Sequence, residues 1–226
     1  VHPDLAPGKI VCVGRNYMAH ARELGNDIPQ EPLLFLKPPS SLVAAGEAVL
    51  HPPGVGRVDF EGEVAFVVGQ KARFVREEDG WDHLSHVAPA NDVTARDLQR
   101  ADPQWTRAKG FDTFCPVGTP VPLSQVDLDS LRVRTRVNGE LRQDAPISDM
   151  AFSPPMLVSY ISRIMTLEPG DLILTGTPEG VGPLVPWDEV EVEIPGVGAV
   201  RNPVRAAPGA PWRPPRPPSS ERAKRA

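Results

Sequence analysis

Apolar residues come along this chain in short runs, broken every few positions by proline, glycine or charge, and that rhythm predicts many brief strands in place of long helices. Residues 9–14 read as a short buried strand. Arg15-Asn16-Tyr17 leaves it for a helical stretch, 18–24, that Gly25 would close. Residues 32–39 look like a second buried strand, ending in Lys37 and two prolines, and 46–53 like another with turns at both ends. Residues 59–69 run from Asp59-Phe60-Glu61-Gly62-Glu63 into the apolar Val64-Ala65-Phe66-Val67-Val68, a core strand. A charged stretch, 77–86, predicts a loop or short helix, and 93–100 a helical stretch after an apolar approach. Alternation of Arg with Val or Thr over 131–137, then Asn138-Gly139 and Glu140-Leu141-Arg142, is a hairpin signature. Helical spacing of Met156, Leu157, Tyr160, Ile161, Ile164 and Met165 predicts an amphipathic helix over 155–167. Leu172-Ile173-Leu174 reads as a buried strand, and 188–194 as a half-exposed one that pairs with 196–204.

Candidate chemistry sits at the ends of these elements. Period-two alternation puts Asp59, Glu61 and Glu63 on one side of an extended segment, where like charges repel unless a cation offsets them. Metal binding and a solvated strand edge both fit that pattern. Asp92, at the junction ahead of 93–100, could cap a helix or deliver a third ligand from a separate part of the chain. His20 and Glu23 are three apart, so a helix sets them on one face, as a base dyad or as a surface ion pair. Lys109, beside Gly110 and Phe111, is either a partly buried lysine able to stabilise an oxyanion or a solvated one. For Lys37, a strand-end charge is a plainer reading than a site residue. The stretch Thr175-Gly176-Thr177-Pro178-Glu179-Gly180-Val181-Gly182 resembles a ligand loop, since glycine lets backbone N–H groups approach an anion. It lacks the Gly-Lys-Ser/Thr ending of a P-loop.

With 226 residues, 40% hydrophobic and 23% charged, the chain has the composition of a soluble globular protein with one catalytic domain. No apolar run approaches a membrane span, and Val1-His2-Pro3-Asp4 is unlike a secretion signal, so a cytoplasmic setting is expected. Cys12 and Cys115 are isolated and read as reduced. The net charge of −5 is uneven: residues from Gly209 onward carry +4, which leaves −9 on the rest. So acidic a body argues against nucleic acid as the partner. The composition turns to Pro, Arg and Ser at Pro208, so the expected organisation is a catalytic domain over 1–207 and a disordered tail over 208–226.

Six motifs, taken in order, resemble the fumarylacetoacetate hydrolase family. They are Gly14-Arg15-Asn16-Tyr17 with His20 and Glu23, Phe35-Leu36-Lys37-Pro38, Glu61-x-Glu63, Asp92-x-Thr94-Ala95-Arg96-Asp97, Lys109-Gly110-Phe111-Asp112 and Thr175-Gly176-Thr177-Pro178-x-Gly180-Val181-Gly182. The likeness covers roughly residues 9–204 and is nearest to short single-domain members, acylpyruvases and oxaloacetate decarboxylases. It implies an α+β fold, a mixed β-sheet rolled into a partly open barrel with flanking helices, and a homodimer. It also implies Glu61, Glu63 and Asp92 as ligands of Mg2+ or Mn2+, with Asp59 in a supporting place. His20 and Glu23 match the family's water-activating dyad, on a segment that can close over the substrate. Lys109 matches the catalytic lysine, and Arg15, Tyr17, Lys37 and Thr177 fall among the substrate contacts, Thr177 in the carboxylate loop. The likeness is to members without the extra amino-terminal domain of the large animal hydrolases, so fumarylacetoacetate itself is not the expected substrate. The basic tail has no counterpart in the family.

The activity this implies is metal-dependent hydrolysis of the carbon–carbon bond of 2,4-diketo acids, acylpyruvates such as fumarylpyruvate or acetylpyruvate, to pyruvate and a carboxylic acid. Three carboxylates suit a hard divalent ion that a 2-keto acid can chelate. Glu23 would hold His20, His20 would deprotonate water, and Lys109 would stabilise the oxyanion. Two alternatives use the same centre: decarboxylation of oxaloacetate, and isomerisation or decarboxylation of dienoic diacids of the 2-hydroxyhepta-2,4-diene-1,7-dioate type. A non-catalytic binding protein is a third, against which the intact ligand set and dyad argue.

Overall fold

The computed structural model describes residues 4–18 and 29–211. Sixteen strands are defined among them. In chain order they are β1 (Ile10–Gly14), β2 (Leu33–Lys37), β3 (Leu42–Val43), β4 (Val49–His51), β5 (Val58–Phe60), β6 (Gly62–Val68), β7 (Leu84–Asn91) and β8 (Thr94–Ala95). Then follow β9 (Cys115–Pro116), β10 (Val121–Pro122), β11 (Arg132–Val137), β12 (Glu140–Pro146), β13 (Leu172–Leu174), β14 (Gly182–Pro183), β15 (Glu189–Ile194) and β16 (Gly198–Ala206). Three short α-helices have their bounds among the described residues, Arg96–Ala101, Thr106–Lys109 and Pro154–Ile164. None among the described residues is long and apolar enough to cross a membrane.

The strands form mixed sheets of six (β10-β7-β6-β13-β1-β2), five (β12-β11-β15-β16-β4), three (β14-β5-β8) and two (β3-β9). They do not close into a barrel, and the class is α+β. Strand β6 is buried on both faces, which explains its unbroken apolar run. Its Val64, Phe66 and Val68 enter a cluster with Val133, Leu157, Ile161, Val192 and Ile194; Ala65 and Val67 enter another with Ile10, Cys12 and Leu174. The helix Pro154–Ile164 covers the first cluster, capped by Ser153, whose hydroxyl accepts the Met156 N–H, with proline at its first position. The hairpin follows its sequence signature: Val137 pairs Glu140 across Asn138 (φ 53°) and Gly139 (φ 82°), both in the left-handed conformation a two-residue turn requires. Inward Val133, Thr135 and Val137 alternate with half-exposed arginines.

Three expectations need correction. Strand β2 is not a buried core strand: it lies at the edge of its sheet, with Leu33 and Leu36 exposed, and Lys37 is its buried residue. Segment 59–69 is not one strand, because β5 and β6 belong to different sheets and the chain passes between them at Glu61. The amphipathic helix stops at Ile164, which is exposed, and Leu167 instead pairs with Ala72. The helical stretch over 18–24, including His20 and Glu23, lies outside the described residues apart from Met18, as does the tail beyond residue 211. Both cysteines are free and buried. Burial pushes their thiols up, Cys115 to about 12.

Candidate active site

The passage between β5 and β6 is where the acidic residues converge. Gly62 faces Asn91 in the antiparallel β6–β7 pair, the Asp92 N–H donates to the Glu61 carbonyl at 2.8 Å, and the Asn91 side chain accepts the Glu61 N–H at 2.9 Å. That pairing brings Asp92, just past the end of β7 and 31 residues later in the chain, beside Glu61. Glycine between the two glutamates is a packing requirement, since a Cβ on Gly62 would come within 1.9 Å of the Thr135 hydroxyl. Glu61, Glu63 and Asp92 are all buried, and each offers a carboxylate oxygen within 4.8 Å of the others'. Asp59 is not one of the group. In the Gly-rich loop after β13 a backbone N–H meets a carboxyl group of the protein itself: Gly176 donates to Glu63 Oε2 at 2.8 Å. Gly176 sits at φ 96°, and a Cβ there would press within 3.0 Å of the Val13 carbonyl.

Cations surround the cluster. Lys109 Nζ donates to Glu61 Oε2 at 2.8 Å and to Asp92 Oδ2, and lies 4.8 Å from the Phe35 ring centroid. Lys37 Nζ donates to Asp92 Oδ1 at 2.6 Å and to the Val93 carbonyl. Arg96 reaches Glu61 Oε1 at 2.6 Å through Nη1 and Asp59 Oδ2 at 2.8 Å through Nε. Arg57 takes the other side of Asp59. Burial would push the Lys109 ammonium down, but Asp92 and Glu61 outweigh it and hold it above its usual value. Glu63 moves well up, by burial first and then by the charges of Asp92 and Glu61. All donors are hard oxygens, and no imidazole or thiolate joins them among the described residues, so the set fits a hard divalent cation.

A cavity of about 390 Å³ opens over Glu61 and Glu63, with Arg15, Arg57, Arg96 and Lys109 among its walls. Arg15 holds a left-handed backbone (φ 57°) at the end of β1 and has no hydrogen bond or ion pair among the described residues. Thr177 also lines the cavity, its hydroxyl donating to the Gly62 carbonyl and accepting from Gln143 Nε2. Lys37 and Tyr17 are buried and are not part of the cavity wall. Lys37 is thus no strand-end surface charge. The Tyr17 hydroxyl has no partner among the described residues, and burial with the nearby Glu63 charge pushes its ionisation up. Sequence reasoning gave no role to Arg96, Arg57 or Gln99. Arg96 stood inside the Asp92-x-Thr94-Ala95-Arg96-Asp97 motif, four residues after a ligand candidate, and that spacing was its only signal.

An open α+β fold thus carries a buried cluster of hard carboxylate oxygens beneath a basic cavity. The chain belongs to the fumarylacetoacetate hydrolase family: residues 9–205 match the fumarylacetoacetate (FAA) hydrolase C-terminal model. It is 48% identical to the mitochondrial oxaloacetate tautomerase FAHD1 of Arabidopsis thaliana, over 85% of this chain and 88% of that protein. The crystal structure of fumarylpyruvate hydrolase from Pseudomonas aeruginosa in complex with Mn2+ and pyruvate superposes with TM-score 0.84 at 34% identity, covering 90% of this chain and 91% of the other. That of 2-hydroxyhepta-2,4-diene-1,7-dioate isomerase from Mycobacterium marinum superposes with TM-score 0.83 at 42% identity, covering 91% and 77%.

Proposed function

We propose that this chain is a divalent-cation-dependent enzyme of small 2-keto dicarboxylic acids, with the keto–enol interconversion of oxaloacetate as its first reaction. The observation that carries this reading is the buried triad beneath an arginine-walled cavity. Asp59, Glu61, Glu63 and Asp92 are matched by Lys37, Arg57, Arg96 and Lys109. Formal charges in the cluster therefore cancel, so a bound divalent cation leaves an excess that a substrate dianion offsets. Glu61, Glu63 and Asp92 would hold the cation, Mg2+ or Mn2+, which when bound supplies Lewis-acid stabilisation of charge on the keto oxygen. Arg15 and Arg96 bind substrate carboxylates. Lys109 Nζ donates a hydrogen bond to the oxygen on which negative charge develops. His20, oriented by Glu23, takes and returns the proton at the carbon beside the keto group.

Hydrolysis of acylpyruvates such as fumarylpyruvate is the second reading, favoured by the likeness to the Pseudomonas hydrolase. There His20 takes the proton of water instead. The catalytic unit spans 1–207, with 208–226 as an appended tail, and works as a homodimer, which light scattering tests. The function is tested by offering the Mn2+- or Mg2+-loaded protein oxaloacetate, fumarylpyruvate, acetylpyruvate and a dienoic diacid in parallel. Decay of the oxaloacetate enol should accelerate most. Turnover of none of them would leave the binding-protein reading.

A further inference from the structure

We infer that Asp59 is a positioning residue: it sets the Arg96 guanidinium so that Nη2 faces the substrate carboxylate, and Arg57, also on the cavity wall, braces Asp59 through both of its oxygens. This rests on the 2-keto acid reading above. A carboxylate beside one arginine ordinarily takes Nε and Nη2 together, as a fork. Asp59, 1% exposed, cannot do so for Arg96, because it is shared: Oδ1 accepts Arg57 Nε at 2.6 Å and Oδ2 accepts Arg57 Nη2 at 3.0 Å, leaving Oδ2 a single bond to Arg96 Nε at 2.8 Å. Arg96 Nη1 is used up by Glu61 Oε1 at 2.6 Å and Gln99 Oε1 at 2.9 Å. Nη2 is buried and has no partner among the described residues, while Arg96 forms part of the cavity wall. A buried donor left without an acceptor is costly, so its partner is expected to arrive with the ligand.

The backbone makes the arrangement rigid. Asp59 faces Thr94 and Val58 faces Ala95 in the β5–β8 pair, and the Arg96 N–H donates to the Arg57 carbonyl at 2.8 Å. Asp59 is therefore held on β5, Arg57 by its backbone one residue ahead of that strand, and Arg96 in the first turn of the helix that follows β8. Asp59 stands outside the triad whose oxygens converge within 4.8 Å, so its effect on substrate passes through Arg96 and not through a metal.

The test combines Asp59→Asn, Arg57→Gln, Arg96→Lys and the Asp59→Asn/Arg96→Lys double variant, each measured for Mn2+ affinity by calorimetry, oxalate binding to the Mn2+-loaded protein, KM and kcat. Asp59→Asn should weaken oxalate binding and raise KM by about 10- to 100-fold, with Mn2+ affinity within about threefold of the parent. Arg57→Gln replaces a half-exposed side chain, and should move oxalate binding the same way by about 3- to 10-fold; it decides the matter if Asp59→Asn does not fold. In the Arg96→Lys background, Asp59→Asn should add less than about twofold. Unchanged oxalate affinity in Asp59→Asn and Arg57→Gln, or an undiminished Asp59→Asn effect in the Arg96→Lys background, overturns the inference. Failure of the parent protein to bind Mn2+ or oxalate overturns the 2-keto acid reading instead.

Discussion

Asp171 and Asp92 are both fully buried carboxylates at strand ends, and they are satisfied in opposite ways. Asp171 closes the turn before β13. Its Oδ1 accepts the Lys9 N–H at 3.0 Å, its Oδ2 accepts the Glu168 N–H at 2.7 Å, and Lys9 Nζ completes the set. Two of the three donors are backbone groups fixed by the fold. Asp92 takes both of its partners from side chains, Lys37 and Lys109, and has two more carboxylates as neighbours. A carboxylate held by backbone N–H groups is committed to structure, because those donors cannot leave without unfolding. One held by ammonium groups on flexible stems can exchange partners with a cation or a substrate. Burial alone does not separate the two cases; the origin of the donors does.

Asp92→Ala should have the largest effect. Mn2+ affinity should fall by more than the roughly 100-fold typical of losing an outer partner, and turnover should fall with it. Leaving Lys37 and Lys109 without their shared partner should also cost about 3–5 kcal/mol in a urea melt. Mn2+ binding unchanged in this variant would break the comparison.

For Asp171→Ala the expected loss is of stability alone, about 1–3 kcal/mol, since Lys9 is partly exposed and its bond is screened. Its kcat, KM and Mn2+ affinity per folded molecule should match the parent, and a loss of activity would show that this carboxylate is not merely structural. Lys37→Met sharpens the contrast further. Because Lys37 stands outside the cavity wall, the change should lower stability by about 1–3 kcal/mol while KM moves less than about threefold. A tenfold rise in KM would restore Lys37 as a substrate contact.

The smallest effect belongs to an exposed pair. The hydrogen bond from Arg107 holds the Asp102 carboxyl below its usual value, though burial opposes this. A depressed carboxyl stabilises the fold above its unfolded value and loses that contribution as pH falls through the folded one. The advantage of the parent over Asp102→Asn in urea midpoint should therefore be present at neutral pH and vanish in acid. An advantage that grew as the pH fell below the ordinary carboxyl value of about 4, instead of shrinking from there downward, would contradict the assignment.

Much of this was legible beforehand, for local reasons. The hairpin at Asn138-Gly139, the helix beginning after Ser153 and the strand Leu172–Leu174 depend on turn geometry, capping and periodicity, which neighbouring residues settle among themselves. The exposure of β2 was not legible, because an apolar run has the same composition at a sheet edge as at its centre. Nor could period two alone sort Asp59 from Glu61 and Glu63. The chain changes sheets between them, and partners for all three come from elsewhere: Arg96 from the helix after β8, Lys109 from the next helix and Gly176 from the loop after β13.

By itself, then, the sequence determined the family, the order of its motifs and the residue types that could hold a cation, because motif spacing and side-chain chemistry are properties of the chain. Tertiary structure alone decided that Glu61, Glu63 and Asp92 converge within 4.8 Å while Asp59 turns to two arginines. That division follows from sheet pairing across long separations, which sets which buried charges meet and is written in no single stretch of residues.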